Sequence, residues 1–235
     1  MHSLEVKNLS FSYIAAYVSS KVLNNISFNL SKGSCLKING KNGSGKTTLA
    51  YCLAGLIPKH IKGKLGGEIL INKTNIRDIP LPKLTDKIGV VFKDPETQLL
   101  MPTVEYELAF PLENRGIPRD EITDRIYSLA DFLKIRHLLK RNTSHLSLGE
   151  KQLIVLAATL ITNPDFLVLD EALSMLDKCS TKRFLSHIKE LKENMKSVII
   201  IDHVNDYEEI TDRVIKLDNG EIVSEKYFNN KVFTI

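Results

Sequence analysis

Residues 40–47 read GKNGSGKT. They follow a short apolar run, Cys35–Asn39 (CLKIN), and lead into Lys46–Leu56, which has a helical pattern. Strand, glycine-rich turn and helix are the context that GxxxxGK[ST] requires. The glycines let the backbone curl so that successive N–H groups point inward at phosphate oxygens. Gly40, Asn42, Gly43, Ser44, Gly45, Lys46, Thr47 and Thr48 are therefore expected to line a nucleotide's phosphates. Lys46 would reach the β- and γ-phosphates and count among the catalytic residues. The Thr47 hydroxyl would ligate Mg²⁺, and the helix would present its positive end.

A second feature fits the first. Residues 166–171, FLVLDE, form an apolar strand that ends in two carboxylates. Asp170 suits an acid that holds Mg²⁺ through its water shell, and Glu171 could polarise an attacking water as general base. An apolar run ending in Asp-Glu is common by itself; the distant phosphate loop gives it meaning.

The bulk properties agree. A chain of 235 residues suffices for one sizeable domain, or for one carrying an inserted subdomain. It is 43% hydrophobic and 26% charged, as soluble globular proteins are. Its net charge of +4 is too mild to argue for nucleic acid, and no nucleic-acid partner is expected. Cys35, Cys52 and Cys179 are far apart, so neither a disulfide framework nor a zinc site is expected. The amino-terminal MHSLEVKNLSFSY lacks the pattern of a signal peptide. The most apolar stretch, 153–161, is about half the length needed to cross a bilayer.

Strands are predicted over Leu4–Tyr13, Ile26–Leu30, Glu68–Asn72 (after Gly66-Gly67), Ile88–Phe92, Phe166–Leu169 and Val198–Ile201. The last two are continuously apolar, as strands covered on both faces tend to be. Between about 97 and 162 the pattern turns helical: Ile122, Ile126, Leu129 and Leu133 make one apolar stripe behind Pro118. The expected fold class is α/β, interrupted by a mostly helical insert.

Residues 146–152 read LSLGEKQ, between the phosphate loop and FLVLDE. This order of motifs resembles the ATP-binding cassette (ABC) family, whose signature is LSGGQ, and the resemblance runs from about residue 4 to about 225. It implies one ATPase domain over 1–235: a mixed β-sheet core with an antiparallel β subdomain (about 1–93 and 163–235) and an inserted α-helical subdomain (about 97–162). Locally, Ser147 and Glu150 have the spacing of a helix capping box. In the family that helix end meets the γ-phosphate bound by the opposite subunit, which implies roles for Ser147 and Gly149. Leu148 replaces the first signature glycine and Glu150 the glutamine. Ser174-Met175-Leu176-Asp177 resembles the D-loop at the dimer interface. His203, after the strand 198–201 and Asp202, matches the switch histidine that positions the attacking water. Tyr13 matches the aromatic that stacks on adenine, with Tyr17 as competitor and core packing as the plainer reading.

A narrower likeness is carried by DPETQ, TVEYELAFPLENRGIPRDEI and DEALSMLD. These resemble the ATPases of energy-coupling factor importers of vitamins or metal ions. That implies ATP and Mg²⁺ as cofactors, a second ATPase subunit, a transmembrane scaffold and a substrate-binding membrane protein. It also implies a peripheral place on the cytoplasmic face of the membrane, with a groove around Lys93–Glu107 receiving the scaffold's helices. This sequence is shorter than many such ATPases, which carry a further carboxy-terminal extension, so the resemblance leaves open the dimer contacts that extension makes.

One residue departs from the family pattern. In VVFKDPETQ, residues 90–98, Lys93 stands where the family has a glutamine that ligates Mg²⁺. An ammonium has donors only and cannot coordinate a cation. Repelled by the metal, it is expected to turn to the γ-phosphate or out to solvent. Gln98 matches a second glutamine of the narrower family and is not an obvious substitute.

Overall fold

The computed structural model describes residues 3–15, 18–174, 176–203 and 209–228. Tyr17 and Met175 lie outside the described residues. In chain order the elements are β1 Ser3–Ala15, β2 Val18–Ser31, β3 Cys35–Asn39, α1 Lys46–Leu53, α2 Leu56–Lys59, β4 Gly63–Ile71 and β5 Thr74–Asn75. They continue with α3 Leu81–Leu84, β6 Ile88–Val91, α4 Val104–Glu113, α5 Arg119–Phe132, α6 Leu148–Leu160, β7 Phe166–Asp170 and α7 Lys178–Glu193. The last three are β8 Ser197–Asp202, β9 Arg213–Asp218 and β10 Glu221–Tyr227.

These strands form two sheets. One is antiparallel, in the order β2-β1-β4-β5. The other runs β10-β9-β3-β8-β7-β6, parallel from β9 to β6 with β10 antiparallel at the edge. Its central strands β7 and β8 are buried throughout. Their side chains alternate between two cores, as the period of a strand dictates. Leu167, Leu169, Val198 and Ile200 face a core shared with α4, α5, α6 and α7. Phe166, Val168, Ile199 and Ile201 face one shared with α1 and the antiparallel sheet.

Two expected boundaries are corrected. The helix predicted over Lys46–Leu56 ends at Leu53, because Gly55 takes a left-handed conformation (φ 72°) that stops it. Gly66-Gly67 does not precede a strand but lies inside β4, where the β1–β4 register shifts between Lys7 and Ser10; such a bulge is a place for glycine within a strand. The helix α5 runs from Arg119 behind Pro118 and buries Ile122 and Ile126, as its stripe predicts. Among the described residues no helix is long and apolar enough to cross a membrane.

Candidate active site

The carboxyl ends of β3, β8, β7 and β6 lie side by side on one edge of the mixed sheet. That edge is where an open parallel sheet leaves a crevice for a ligand. The phosphate loop follows β3, His203 follows β8, Asp170 and Glu171 end β7, and Lys93 lies just beyond β6. Local sequence places each residue; strand order brings them together.

In the loop, Gly45 has φ 101° and a Cβ there would come 2.8 Å from the Val22 carbonyl oxygen, so only glycine fits without strain. Lys46 is buried, and its ammonium donates to the carbonyls of Gly40 (2.8 Å) and Lys41 (3.0 Å). The buried Ser44 hydroxyl has no hydrogen-bond partner among the described residues. A cation and a hydroxyl thus converge on the hollow of the turn.

Asp170 is buried, bonded to the Thr47 side chain, and its Oδ1 lacks a partner among the described residues. Burial pushes its carboxyl up to about 6, helped by the neighbouring Glu171 charge and opposed by Thr47, Lys46 and Lys93. An added cation would relieve that burial penalty. Thr47 and Asp170 offer two hard oxygens side by side, one with unused capacity, which fits Mg²⁺. No group of three His, Cys, Asp or Glu among the described residues could hold a metal.

Glu171 has a positive φ, 49°, unusual for a residue with a side chain. Its N–H donates to the Ile201 carbonyl at 2.8 Å, which helps fix this turn off the sheet. Oε2 accepts from Lys93 Nζ at 2.8 Å; Oε1 lies 3.8 Å from Lys46 Nζ and 3.9 Å from His203 Nδ1. Burial tends to raise this carboxyl, but the Lys93 ammonium, with Lys46 and His203, holds it below the usual carboxylate range. His203 is half exposed, with Nδ1 3.3 Å from Oδ1 of the buried Asp202, which also accepts the His203 N–H at 2.6 Å.

Lys93 Nζ pairs with Glu171, and its side chain is half exposed. The strand end that carries it is held at both faces of one residue. Gln98 Oε1 accepts the Phe92 N–H at 2.7 Å, while Gln98 Nε2 donates to the Val90 carbonyl at 3.1 Å. Gln152 Nε2 donates to the Phe92 carbonyl at 3.0 Å, and Lys151 pairs with Glu96. Gln98 therefore spends both ends of its amide on the backbone. Asp202 and Gln152 are supporting residues that sequence patterning did not assign; no spacing distinguishes them from ordinary polar positions. Gln98, matched to a second glutamine of the narrower family, braces the strand end.

Tyr13 reaches the same region, with its hydroxyl 3.2 Å from the Thr48 hydroxyl and its ring edge-on to Phe11 at 4.8 Å. Ser147, Gly149 and Asp177 form a second group. Ser147 Oγ accepts the Glu150 N–H at 3.3 Å and Glu150 Oε2 accepts the Ser147 N–H at 2.7 Å, completing the capping box of α6. Asp177 caps α7, accepting from the Cys179 and Ser180 N–H groups and from Ser180 Oγ at 2.6 Å. A Cβ at Gly149 would come 3.1 Å from that same Oγ, so the two helix starts pack together. An apolar groove of about 380 Å³ lies between Leu56, Leu81, Val90, Phe92, Phe110, Arg115 and Thr159. It flanks the 93–107 stretch instead of being lined by it.

A family model described as ABC transporter matches residues 23–174. A protein of Methanosarcina acetivorans, described provisionally as an ABC transporter ATP-binding protein, is 40% identical over 225 residues, covering 95% of this chain and 42% of its own length. One of Bacillus subtilis, described provisionally as the HMP/thiamine import ATP-binding protein YkoD, is 38% identical over 220 residues, 92% of this chain and 40% of its own. The chain thus spans less than half the length of these curated relatives. The solved structure of cbiO1 from Clostridium perfringens, described as part of the ABC transporter complex cbiONQ, matches with a TM-score of 0.83 at 28% identity. That match covers 95% of this chain and 88% of the other.

Proposed function

The chain belongs to the ABC transporter ATPase family, and on that premise we propose that it is the ATP-binding and hydrolysing subunit of a membrane importer. The observation that carries the reading is the convergence of Lys46, the Thr47–Asp170 pair, Glu171 and His203 on one sheet edge. In this reading Lys46 exchanges the Gly40 and Lys41 carbonyls for the β- and γ-phosphates of ATP. Thr47 and Asp170 hold Mg²⁺, which when bound offsets charge on the phosphate oxygens. Glu171 Oε1 takes the proton of the attacking water and His203 positions it, so that alignment and charge supply the catalysis. Tyr13 offers a ring to adenine.

A second copy or a related chain would complete each site, with Ser147, Gly149 and Asp177 presented to its γ-phosphate. The first turn of α6 supports this, since a helix start favours anions. The apolar groove beside α4 suits a helix of a transmembrane scaffold at the cytoplasmic face, and the 97–162 segment is proposed as the helical insert that bears it. The description of YkoD as an HMP/thiamine import protein supports a vitamin as the solute, and that of cbiO1 as part of the ABC transporter complex cbiONQ supports assembly with further subunits, which suits an energy-coupling factor importer.

A related reading makes this the slower subunit of a heterodimer, and the Lys93–Glu171 contact favours it. Both readings are tested by expressing the chain with a transmembrane scaffold and a second ATPase subunit. A complex that copurifies and hydrolyses ATP is the expected result. Failure to copurify, with full ATPase activity in the chain alone, would contradict an importer subunit.

A further inference from the structure

We propose that Lys93 is a positioning residue that restrains the general base: its ammonium occupies one carboxylate oxygen of Glu171 and leaves only the other to an attacking water. The proposal rests on the reading of Glu171 as the base of an ATP site, and it concerns how fast that site turns over.

The contact is direct and one-sided. Lys93 Nζ is 2.8 Å from Oε2, whereas the neighbours of Oε1, Lys46 and His203, stand 3.8 Å and 3.9 Å away, beyond hydrogen-bond distance. Oε1 is thus the oxygen left for water. The other acids at this edge are engaged elsewhere: Asp170 with Thr47 and Asp202 with His203.

The backbone is fixed at both ends of the pair. Glu171 is set by its left-handed backbone and its N–H bond to Ile201. The peptide groups on either side of Phe92 are held by Gln98 and Gln152, so the strand end delivering Lys93 has little freedom to withdraw. An ammonium on one carboxylate oxygen holds the group in one orientation and keeps water from that oxygen, so proton acceptance is confined to Oε1. A glutamine amide at the same place would form no ion pair to hold it so. The Lys93 side chain is 47% exposed and that of Glu171 only 11%, but Lys46 and His203 stay beside the carboxylate, so replacing Lys93 should leave the fold intact.

The test uses the assembled complex, with the partner site's own base silenced where the partner is a different chain. Steady-state kcat, KM and ATP affinity are measured for Lys93→Met, Lys93→Gln and Lys93→Arg, each with and without Glu171→Gln. Met and Gln should raise kcat about three- to tenfold at unchanged ATP affinity. Arg, which keeps the cation, should give no rise, and none should appear when Glu171 is already Gln. Equal or lower kcat in Met and Gln, while Glu171→Gln still abolishes turnover, would overturn the restraint alone. An equal gain in the Glu171→Gln background would also overturn it, because Lys93 would then act by another route. Unchanged turnover in Glu171→Gln itself would remove the base assignment and the restraint together.

Discussion

The Lys93 ammonium stands 2.8 Å from Oε2 of Glu171. One residue arrives from the end of β6, the other from the end of β7, neighbours in the parallel sheet. Lys93 is half exposed and Glu171 is buried, with Lys46 and His203 still near the carboxylate when Lys93 is removed. Lys93→Ala should change unfolding free energy by no more than about 1 kcal/mol, as surface ion pairs do. Denaturant titration of the isolated chain checks this; a much larger loss would make the pair a structural element.

Lys46 is predicted to be indispensable for nucleotide binding. Its ammonium is buried and, among the described residues, met by loop carbonyls and, at 3.8 Å, by Glu171. Lys46→Ala should weaken ATP binding by about tenfold or more, since it removes the charge-assisted contact to the phosphates. Calorimetric titration with ATP measures this, and an unchanged Kd would exclude the loop as the phosphate site.

Ser147 has a role within its own chain before any dimer forms. It caps α6 reciprocally with Glu150, whose carboxyl is held low chiefly by the Ser147 N–H. Ser147→Ala should cost about 1 kcal/mol of stability, the usual loss of a cap. Urea unfolding gives that value, and no loss would mean that the helix start is held by other contacts.

His187 sets an acid-side weakness. It lies buried on α7 against Phe132, and neither ring nitrogen finds a partner among the described residues. Burial is the main cause lowering its pKa, with Lys134 and Arg183 adding to this and Glu190 opposing. The unfolded chain therefore binds this proton more readily than the folded one, so stability falls as pH drops through about 6.5 and is unaffected well above it. His187→Leu should shrink the difference in unfolding free energy between pH 8 and pH 5. An equal difference in both proteins would show that His187 does not contribute.

Much of the site was legible in the sequence because its parts are local. GKNGSGKT, FLVLDE and the S-x-x-E cap each specify their geometry within a few residues, and β3, β7 and β8 announce themselves as buried apolar runs. Lys178–Glu193 buries Phe184, His187 and Ile188 and packs Leu185 and Leu191 beside them at helical spacing, a stripe that was legible but not predicted. Other parts are not local. Arg213–Asp218 is a strand with charges at both ends and another in the middle. Lys93 and Glu171 are 78 residues apart, and only the order of β6 beside β7 joins them. The charge of Lys93 was readable, but its partner was a matter of topology.

The most direct measurement of the central claim is ATP turnover by the assembled complex carrying Glu171→Gln, alongside its ATP affinity. The account predicts retained ATP binding with turnover reduced by about a hundredfold or more, the typical share of a general base. Unchanged turnover would contradict it.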